Sequence, residues 1–233
     1  MLLSIIVPVF NEETSVVEVV ERLLALPLPE GLTTEIIVVD DGSTDGTTRI
    51  LQGFASNPAL KIHYSVLNFG KGVAVRVGLR YAQGDIVAIQ DADLEYDPDH
   101  LLELIKPIRE GRTDVVYGSR YLGTNQGMVV LQNLGNRILT AFCNLLYGTK
   151  LTDTYTCYKI MTREVAAEMS RVLTARGFEL EAEITARLLL MGKKPLELPI
   201  RYLARTRSQG KKIRARDGFK GLWWTLRIKI FGS

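Results

Sequence analysis

The first 117 residues alternate short apolar runs with helical patterns, and this alternation limits the possible folds more than any other feature of the chain. Apolar residues recur at helical spacing between the runs, over 16–24, over 72–81 and from Pro98 to Ile108. Strands separated by helices are typical of βαβ units, which build parallel sheets. The sequence therefore predicts an α/β fold with a mostly parallel sheet. The strand-like runs are Leu3–Val7, Glu35–Val39, Lys61–Val66, Asp85–Gln90 and Val115–Tyr117.

The chain after Tyr117 continues with longer spacings and no repeat, linker or low-complexity tract. Residues 129–147 and Glu179–Met191 have helical patterns, whereas Cys157–Met161 and Pro195–Leu203 are strand-like. We therefore predict a single domain over 1–216, made of two halves, 1–117 and 118–216, and followed by a helix over 217–233.

The composition is that of an ordinary globular protein, with 233 residues of which 46% are hydrophobic and 24% charged. The two cysteines, Cys143 and Cys157, have no metal-ligand or redox spacing, so we expect buried thiols and a reducing cytosolic compartment. The residues from Met1 to Pro8 resemble a first strand rather than a signal peptide. No apolar run approaches the roughly 18 to 20 residues of a membrane-spanning helix.

The C-terminal end is strongly basic. Residues 201–233 carry ten Lys or Arg against Asp217, a net charge of +9, which leaves −6 on the first 200 residues. Phe219, Trp223 and Leu226 recur at helical spacing among these cations. A basic amphipathic helix of this kind predicts contact with a membrane surface, and the alternative is packing on the core or on a partner subunit. A nucleic-acid partner is disfavoured, because no RNA-binding module pattern is present.

Carboxylates follow two of the predicted strands. Asp91-Ala92-Asp93 comes after the run that ends at Gln90, and Asp40-Asp41 comes after Val39. Open α/β sheets bind ligands at the carboxyl ends of their strands, and Mg²⁺ or Mn²⁺ prefers such oxygen ligands together with substrate phosphates. The alternative is that these acids cap the next segment. Gly70-Lys71-Gly72 matches neither phosphate-loop pattern; Lys71 either holds a loop near the ligand or starts a helix.

The motifs, taken together, resemble family 2 glycosyltransferases and, within them, the dolichyl- or polyprenyl-phosphate mannose synthases. The resemblance covers about residues 4–222 and implies a GT-A fold, with a Rossmann-like nucleotide-sugar-binding half (1–117) and an acceptor half (118–216). It rests on IVPVFNEE from Ile6, VVDDGS from Val38, Gly70-Lys71-Gly72, Asp91-Ala92-Asp93-Leu94, Gly118-Ser119-Arg120-Tyr121, Asp153–Lys159, and Arg205 with Lys211.

The resemblance also implies residue roles. Asp91, Asp93 and Glu95 would hold Mg²⁺ or Mn²⁺, and Asp93, Arg120 and Asp153 would be catalytic, with Asp153 as the base if the acceptor is a hydroxyl. The segment 153–159 departs from the family pattern, with Cys157 and Lys159 among the differences, and this leaves the acceptor open. The residues implied to bind the nucleotide sugar are Pro8, Phe10, Glu12, Val39, Asp41, Lys71, Asp91, Ala92, Arg120, Arg205 and Lys211.

The expected activity is inverting transfer of a hexose, mannose or glucose, from a GDP- or UDP-sugar to a polyprenyl or dolichyl phosphate at the cytosolic membrane face. The alternatives are transfer to a sugar hydroxyl in polysaccharide or glycolipid assembly and, remotely, nucleic-acid binding. A divalent cation with Arg and Lys would neutralise the charge that builds on the leaving diphosphate.

Overall fold

A computed structural model of the protein describes residues 1–205 and 215–232. Within these residues the strands are β1 (Leu2–Val9), β2 (Thr33–Asp40), β3 (Leu60–Tyr64), β4 (Ile86–Ile89), β5 (Val115–Gln126), β6 (Lys159–Thr162) and β7 (Leu196–Leu203). The helices are α1 (Val16–Leu24), α2 (Thr47–Gln52), α3 (Lys71–Tyr81), α4 (His100–Leu104), α5 (Lys106–Arg109), α6 (Val130–Tyr147), α7 (Arg163–Val172), α8 (Leu180–Leu190) and α9 (Ala215–Phe231).

The seven strands form one sheet in the order β3-β2-β1-β4-β6-β5-β7. β1, β2, β3 and β4 are parallel, β5 is parallel to β7, and β6 runs antiparallel to its neighbours β4 and β5. The prediction of an α/β fold with a mostly parallel sheet is confirmed. Both predicted halves contribute strands to this one sheet. The boundary predicted at residue 117 falls inside β5.

The central strands are buried on both faces, which explains their nearly continuous apolar sequence. Helix α1 covers one face of the sheet with Val16, Val19, Val20 and Leu23. Helix α3 approaches the sheet closely at Gly78, where an added Cβ would overlap the Ile6 side chain. This packing fixes the carboxyl ends of β1, β2 and β4 relative to one another.

Two predictions for the helices differ from the structure. The single helix predicted from Pro98 to Ile108 is wrong, because α4 ends at Leu104 and α5 starts at Lys106. Pro107 explains the break, since proline lacks an N–H and its ring clashes with the preceding turn. Helix α7 was not predicted, although Val165, Ala166 and Met169 form its buried face.

Helix α9 packs against α6 and α8, as the core-packing alternative requires. Its protein-facing side contains Gly221, Thr225 and Ile228, whereas Phe219 and Trp223 are more than half exposed. No helix among the residues described is both long and apolar enough to span a bilayer.

Candidate active site

The candidate site lies where β1, β2 and β4 end at the same edge of the sheet. β1 sits between β2 and β4, so the chain continues to one side of β1 through β2 and β3 and then returns to its other side. Such a reversal opens a crevice at the carboxyl ends of the strands. Three groups of predicted residues meet at this edge. They are Pro8 near the end of β1 with Phe10 and Glu12 after it, Val39 in β2 with Asp41 after it, and Asp91, Ala92 and Asp93 after β4.

The residues predicted to contact the nucleotide at the ends of β1 and β2 differ in their exposure. Pro8 is buried and in register with Val39 of β2. The Val39 side chain packs with Ile37 and Ala74 in a small apolar cluster, whereas Phe10 is half-buried. The contacts of these residues with a nucleotide remain predictions.

Asp41 fastens the loop that leads into α3. One of its carboxylate oxygens accepts the Phe69 N–H at 2.9 Å and the other accepts the Gly70 N–H at 2.7 Å. Burial raises the pKa of Asp41, and these two hydrogen bonds oppose the rise. Gly70 has a φ of +101°, which disfavours any residue with a Cβ. Asp41 therefore sets the position of Lys71, the first residue of α3.

Lys71 binds the first carboxylate of the Asp91-Ala92-Asp93 triplet. Its Nζ lies 2.8 Å from Asp91 Oδ1 and 3.0 Å from Glu181 Oε1. Burial alone would lower the pKa of Lys71, but Asp91 and Glu181 raise it well above the ordinary value. Lys71 is the first residue of α3, and its side chain also points into the site.

Asp93 faces Arg205, whose Nη2 lies 3.4 Å from Asp93 Oδ2. Burial, Asp91 and Glu95 raise the pKa of Asp93 to about 7, and Arg205 opposes the rise. The site thus holds more negative charge than its own cations compensate, and a cation bound there would relieve the excess.

Arg205 also binds Glu12 at the end of β1. Its Nη1 donates to Glu12 Oε2 at 2.8 Å and its Nη2 donates to Glu12 Oε1 at 2.9 Å. Ser15 Oγ lies 2.9 Å from Glu12 Oε2 and 2.8 Å from the Ala92 carbonyl oxygen. Arg205, which follows β7, is therefore fixed against the ends of both β1 and β4.

Glu95 is bound by the end of β7 and by Arg205, which follows that strand. Its Oε2 accepts the Tyr202 hydroxyl at 2.7 Å and its Oε1 accepts the Arg205 N–H at 2.6 Å. Across residues 1–205 and 215–232, no three His, Cys, Asp or Glu side chains converge as a metal-binding group. The metal role of Glu95 stays a prediction, and its observed contacts position Arg205.

Arg120 and Asp153 form a buried pair. Arg120 Nε donates to Asp153 Oδ2 at 2.7 Å and its Nη2 donates to Oδ1 at 2.8 Å. The Arg120 backbone N–H donates to Asp153 Oδ2 at 3.1 Å, and the guanidinium stacks 5.1 Å above the Tyr202 ring. Arg120 thus binds both oxygens of Asp153, the carboxylate predicted to act as the base if the acceptor is a hydroxyl.

Glu181 was not predicted to belong to the site, but its side chain contacts Lys71 there. This buried carboxylate contacts Lys71 and Lys159, from α3 and β6 respectively. The signal in the sequence is weak, because acidic residues are common in the first turn of a helix. Lys211, predicted to bind the nucleotide sugar with Arg205, lies outside the described residues.

The family model for glycosyl transferase family 2 matches residues 4–170 of this chain. The chain belongs to glycosyl transferase family 2. The predictions of the family and of a glycosyltransferase domain with the GT-A type of fold are confirmed. The branch within the family is a separate question.

Two curated relatives support this membership. The chain is 34% identical over 164 residues to the uncharacterized glycosyltransferase sll0501 of Synechocystis, covering 70% of this chain and 51% of that protein. It is 30% identical over 206 residues to the low-salt glycan biosynthesis hexosyltransferase Agl6 of Haloferax volcanii, covering 86% of this chain and 47% of that protein. The chain thus spans about half the length of these relatives.

A solved structure with a similar fold is glucosyl-3-phosphoglycerate synthase of Mycobacterium tuberculosis, in complex with Mn²⁺, UDP-glucose and phosphoglyceric acid. The TM-score is 0.71 at 23% identity, with 97% of this chain and 79% of that chain covered. This likeness establishes the fold of the whole described chain.

Proposed function

We propose that this protein is an inverting, metal-dependent glycosyltransferase that moves mannose or glucose from a GDP- or UDP-sugar to a polyprenyl or dolichyl phosphate. The observation that carries the proposal is the pair of carboxylates, Asp91 and Asp93, at the carboxyl end of β4, each facing a cation of its own chain. The carboxylates are suited to a metal ion, and the neighbouring cations are suited to a diphosphate.

Asp91 and Asp93 fit a bound Mg²⁺ or Mn²⁺. Both side chains are about one-fifth exposed, at 20% and 19%, so an ion and its substrate have access to their oxygens. Mg²⁺ usually binds through one or two carboxylates plus substrate phosphates, and two carboxylates therefore suffice. When bound, the ion would neutralise the charge that builds on the leaving diphosphate. Mn²⁺ accompanies UDP-glucose in the glucosyl-3-phosphoglycerate synthase complex.

Among the cations that the structure describes, Arg205 is the best placed for the diphosphate. Its guanidinium reaches Glu12 and Asp93 from the end of β7, so it spans the mouth of the crevice. The planar guanidinium suits two-point contact with phosphate oxygens. Lys211, six residues further along, is proposed to act with it.

The acceptor is proposed to be a lipid phosphate because it needs no general base. A phosphate oxygen is already anionic; it forms a bond to the anomeric carbon as the bond from that carbon to the nucleoside diphosphate breaks. A hydroxyl acceptor must lose a proton, whereas both oxygens of Asp153 are engaged by Arg120. This pairing favours the lipid phosphate over a sugar hydroxyl, the second candidate.

The exposed faces of α6 and α9 support the proposed location at a membrane surface. Leu131, Leu134, Ile138 and Leu145 recur along α6, and each is more than half exposed. On α9, Phe219, Trp223 and Ile230 are exposed in the same way.

The charges on these two helices favour an anionic bilayer over a second copy of the chain. Residues 130–147 contain Arg137 and no acid, and residues 215–231 carry four cations against Asp217. Two such faces would repel each other, whereas anionic lipid would attract both.

Donor and acceptor are tested separately. Calorimetric titration with GDP-mannose and UDP-glucose, with and without Mn²⁺, should give metal-dependent binding of one donor; binding of neither overturns the proposal. Labelled donor is then offered with polyprenyl phosphate or with soluble sugars, and label that appears only on sugars selects the second candidate.

Membrane association is tested without donor or acceptor, by sedimentation with vesicles of phosphatidylcholine with and without phosphatidylglycerol. The wild type should bind the anionic vesicles, and Leu134→Ser with Trp223→Ser should bind at least tenfold more weakly. Val66→Ser, at a residue that is 93% exposed on another surface, is the matched control. Equal binding by all three proteins would contradict the role of these helices.

A further inference from the structure

A buried row of alternating charges leads from the candidate metal site into the acceptor half. Lys71 Nζ lies 2.8 Å from Asp91 Oδ1 and 3.0 Å from Glu181 Oε1. The other oxygen of Glu181 accepts a hydrogen bond from Lys159 Nζ. Each of the two inner residues, Lys71 and Glu181, thus has two partners of opposite charge, one on either side.

Lys159 holds the far end of this row. Its ammonium is fully buried, donates to the Thr156 carbonyl oxygen at 2.5 Å, and lies 4.9 Å above the Tyr117 ring. Burial would raise the pKa of Glu181, but Lys159 and Lys71 hold it below the ordinary value, so Glu181 is a carboxylate at neutral pH. Glu181 is therefore a fixed negative charge behind Lys71.

The position of Lys71 determines how freely Asp91 can bind a cation. A lysine that pairs only with Asp91 would compete directly with a divalent ion for the same carboxylate. Lys71 Nζ contacts both oxygens of Asp91, at 2.8 and 3.0 Å, and Glu181 Oε1 at 3.0 Å. Because Glu181 shares the ammonium with Asp91, it weakens the hold of Lys71 on that carboxylate. In a buried site such charge–charge contacts are screened weakly.

We propose that Glu181 is a positioning residue that holds Lys71 between itself and Asp91 and thereby raises the affinity of Asp91 and Asp93 for a divalent cation. This rests on the metal site of the proposed function. Loss of Glu181 leaves Lys71 with Asp91 as its one carboxylate partner in the row and weakens cation binding.

The test is the binding of Mn²⁺ alone, measured by calorimetry or by the electron paramagnetic resonance signal of the free ion. Glu181→Gln should weaken Mn²⁺ binding about tenfold, which corresponds to about 1.4 kcal/mol. Glu183→Gln is the matched control, because Glu183 is equally buried on α8 but accepts the backbone N–H groups of Thr174 and Ala175. Its Mn²⁺ affinity should stay within twofold of the wild type.

The same Mn²⁺ titration in the Lys71→Met background separates an effect of Glu181 through Lys71 from a direct electrostatic effect of Glu181 on the bound ion. Glu181→Gln should have no further effect there, because it acts through Lys71; an undiminished tenfold effect overturns the proposal. If Glu181→Gln alone does not fold, Glu181→Gln with Lys159→Met removes both charges of the pair and should show the same weakening; wild-type affinity in that variant also overturns it. A wild type that binds no Mn²⁺ overturns the metal site itself and this proposal with it.

Discussion

The guanidinium of Arg205 binds both carboxylate oxygens of Glu12, which is 193 residues away in the sequence, at 2.8 and 2.9 Å. The two residues follow β7 and β1, strands that are well separated in the sheet. Charge-assisted bonds with two-point geometry are among the stronger polar contacts in proteins. The pair therefore joins the segment after β7 to the end of β1.

Replacing Arg205 tests this contact. Arg205→Met should raise the KM for the nucleotide sugar about tenfold or more, and Arg205→Lys should recover part of the loss, because lysine keeps the charge but loses the two-point geometry. Arg201→Met, at an exposed arginine four residues earlier, is the matched control. Steady-state kinetics at saturating acceptor measures the effect, and an unchanged KM in Arg205→Met would argue against a donor contact.

The Asp153→Asn variant tests whether Asp153 acts as a general base or as the structural partner of Arg120. If Asp153 holds Arg120, the variant leaves a buried guanidinium without its counter-charge, at a cost of about 3–5 kcal/mol. The midpoint of thermal unfolding should then fall by roughly 10 °C. Asp153→Leu with Arg120→Met should recover part of this stability. A variant that unfolds at the wild-type temperature but has lost transfer would instead identify Asp153 as the base.

Glu35 should make the stability of the fold depend on pH. Its carboxylate accepts Lys61 Nζ and the Gln83 N–H, each at 2.6 Å, and also the Ser4 hydroxyl. Burial would raise the pKa of Glu35, but these donors hold it below the ordinary value near 4.5. A lowered folded-state pKa gives stability above the unfolded pKa that is lost as pH falls through the folded pKa.

The expected difference in unfolding free energy between wild type and Glu35→Gln is about 1–3 kcal/mol at pH 7. It should shrink steadily as the pH falls below about 4.5. Denaturant unfolding at a series of pH values measures it, with Glu30→Gln as the exposed control. A difference that grows towards acid would contradict the assigned sign.

Gly70→Ala tests the loop that presents Lys71. Gly70 combines a φ of +101° with a close approach to the Arg176 carbonyl oxygen, which an added Cβ would overlap. We expect a loss of stability of about 1–3 kcal/mol together with weaker donor binding. Gly111→Ala is the control, since Gly111 has a φ of +67° but open space around it. Equal effects in both variants would mean that backbone strain alone accounts for the loss.

The sheet, and the place of the carboxylates at its edge, could be predicted because their signals are local. Apolar runs of strand length and carboxylates directly after Val39 and Gln90 are readable from neighbouring residues. Parallel strands then bring those carboxylates to one edge without further information. The break between α4 and α5 was missed, although Pro107 is a local signal for it, since proline in a helix interior removes a hydrogen bond.

The pairings across the site were not predictable in the same way. Lys159 contacts Glu181 only after α8 has packed against β6, and Arg120 contacts Asp153 only after the loop before β6 has packed against β5. Charged residues are rarely buried, so a sequence offers no local reason to place Lys159 in the interior. The same limit explains why the hydrogen bond from the Tyr202 hydroxyl to Glu95 was not predicted.

The most direct test of the central claim is metal-dependent transfer by Asp91→Ala. Wild type and variant are incubated with labelled nucleotide sugar, polyprenyl phosphate and Mn²⁺, and near-ultraviolet circular dichroism checks that the variant folds. The wild type should label the lipid, and the variant should lose at least about 100-fold in rate, as expected when the charge stabilisation of a leaving group is removed. Wild-type turnover by Asp91→Ala would contradict the assignment of this carboxylate to the metal and diphosphate site.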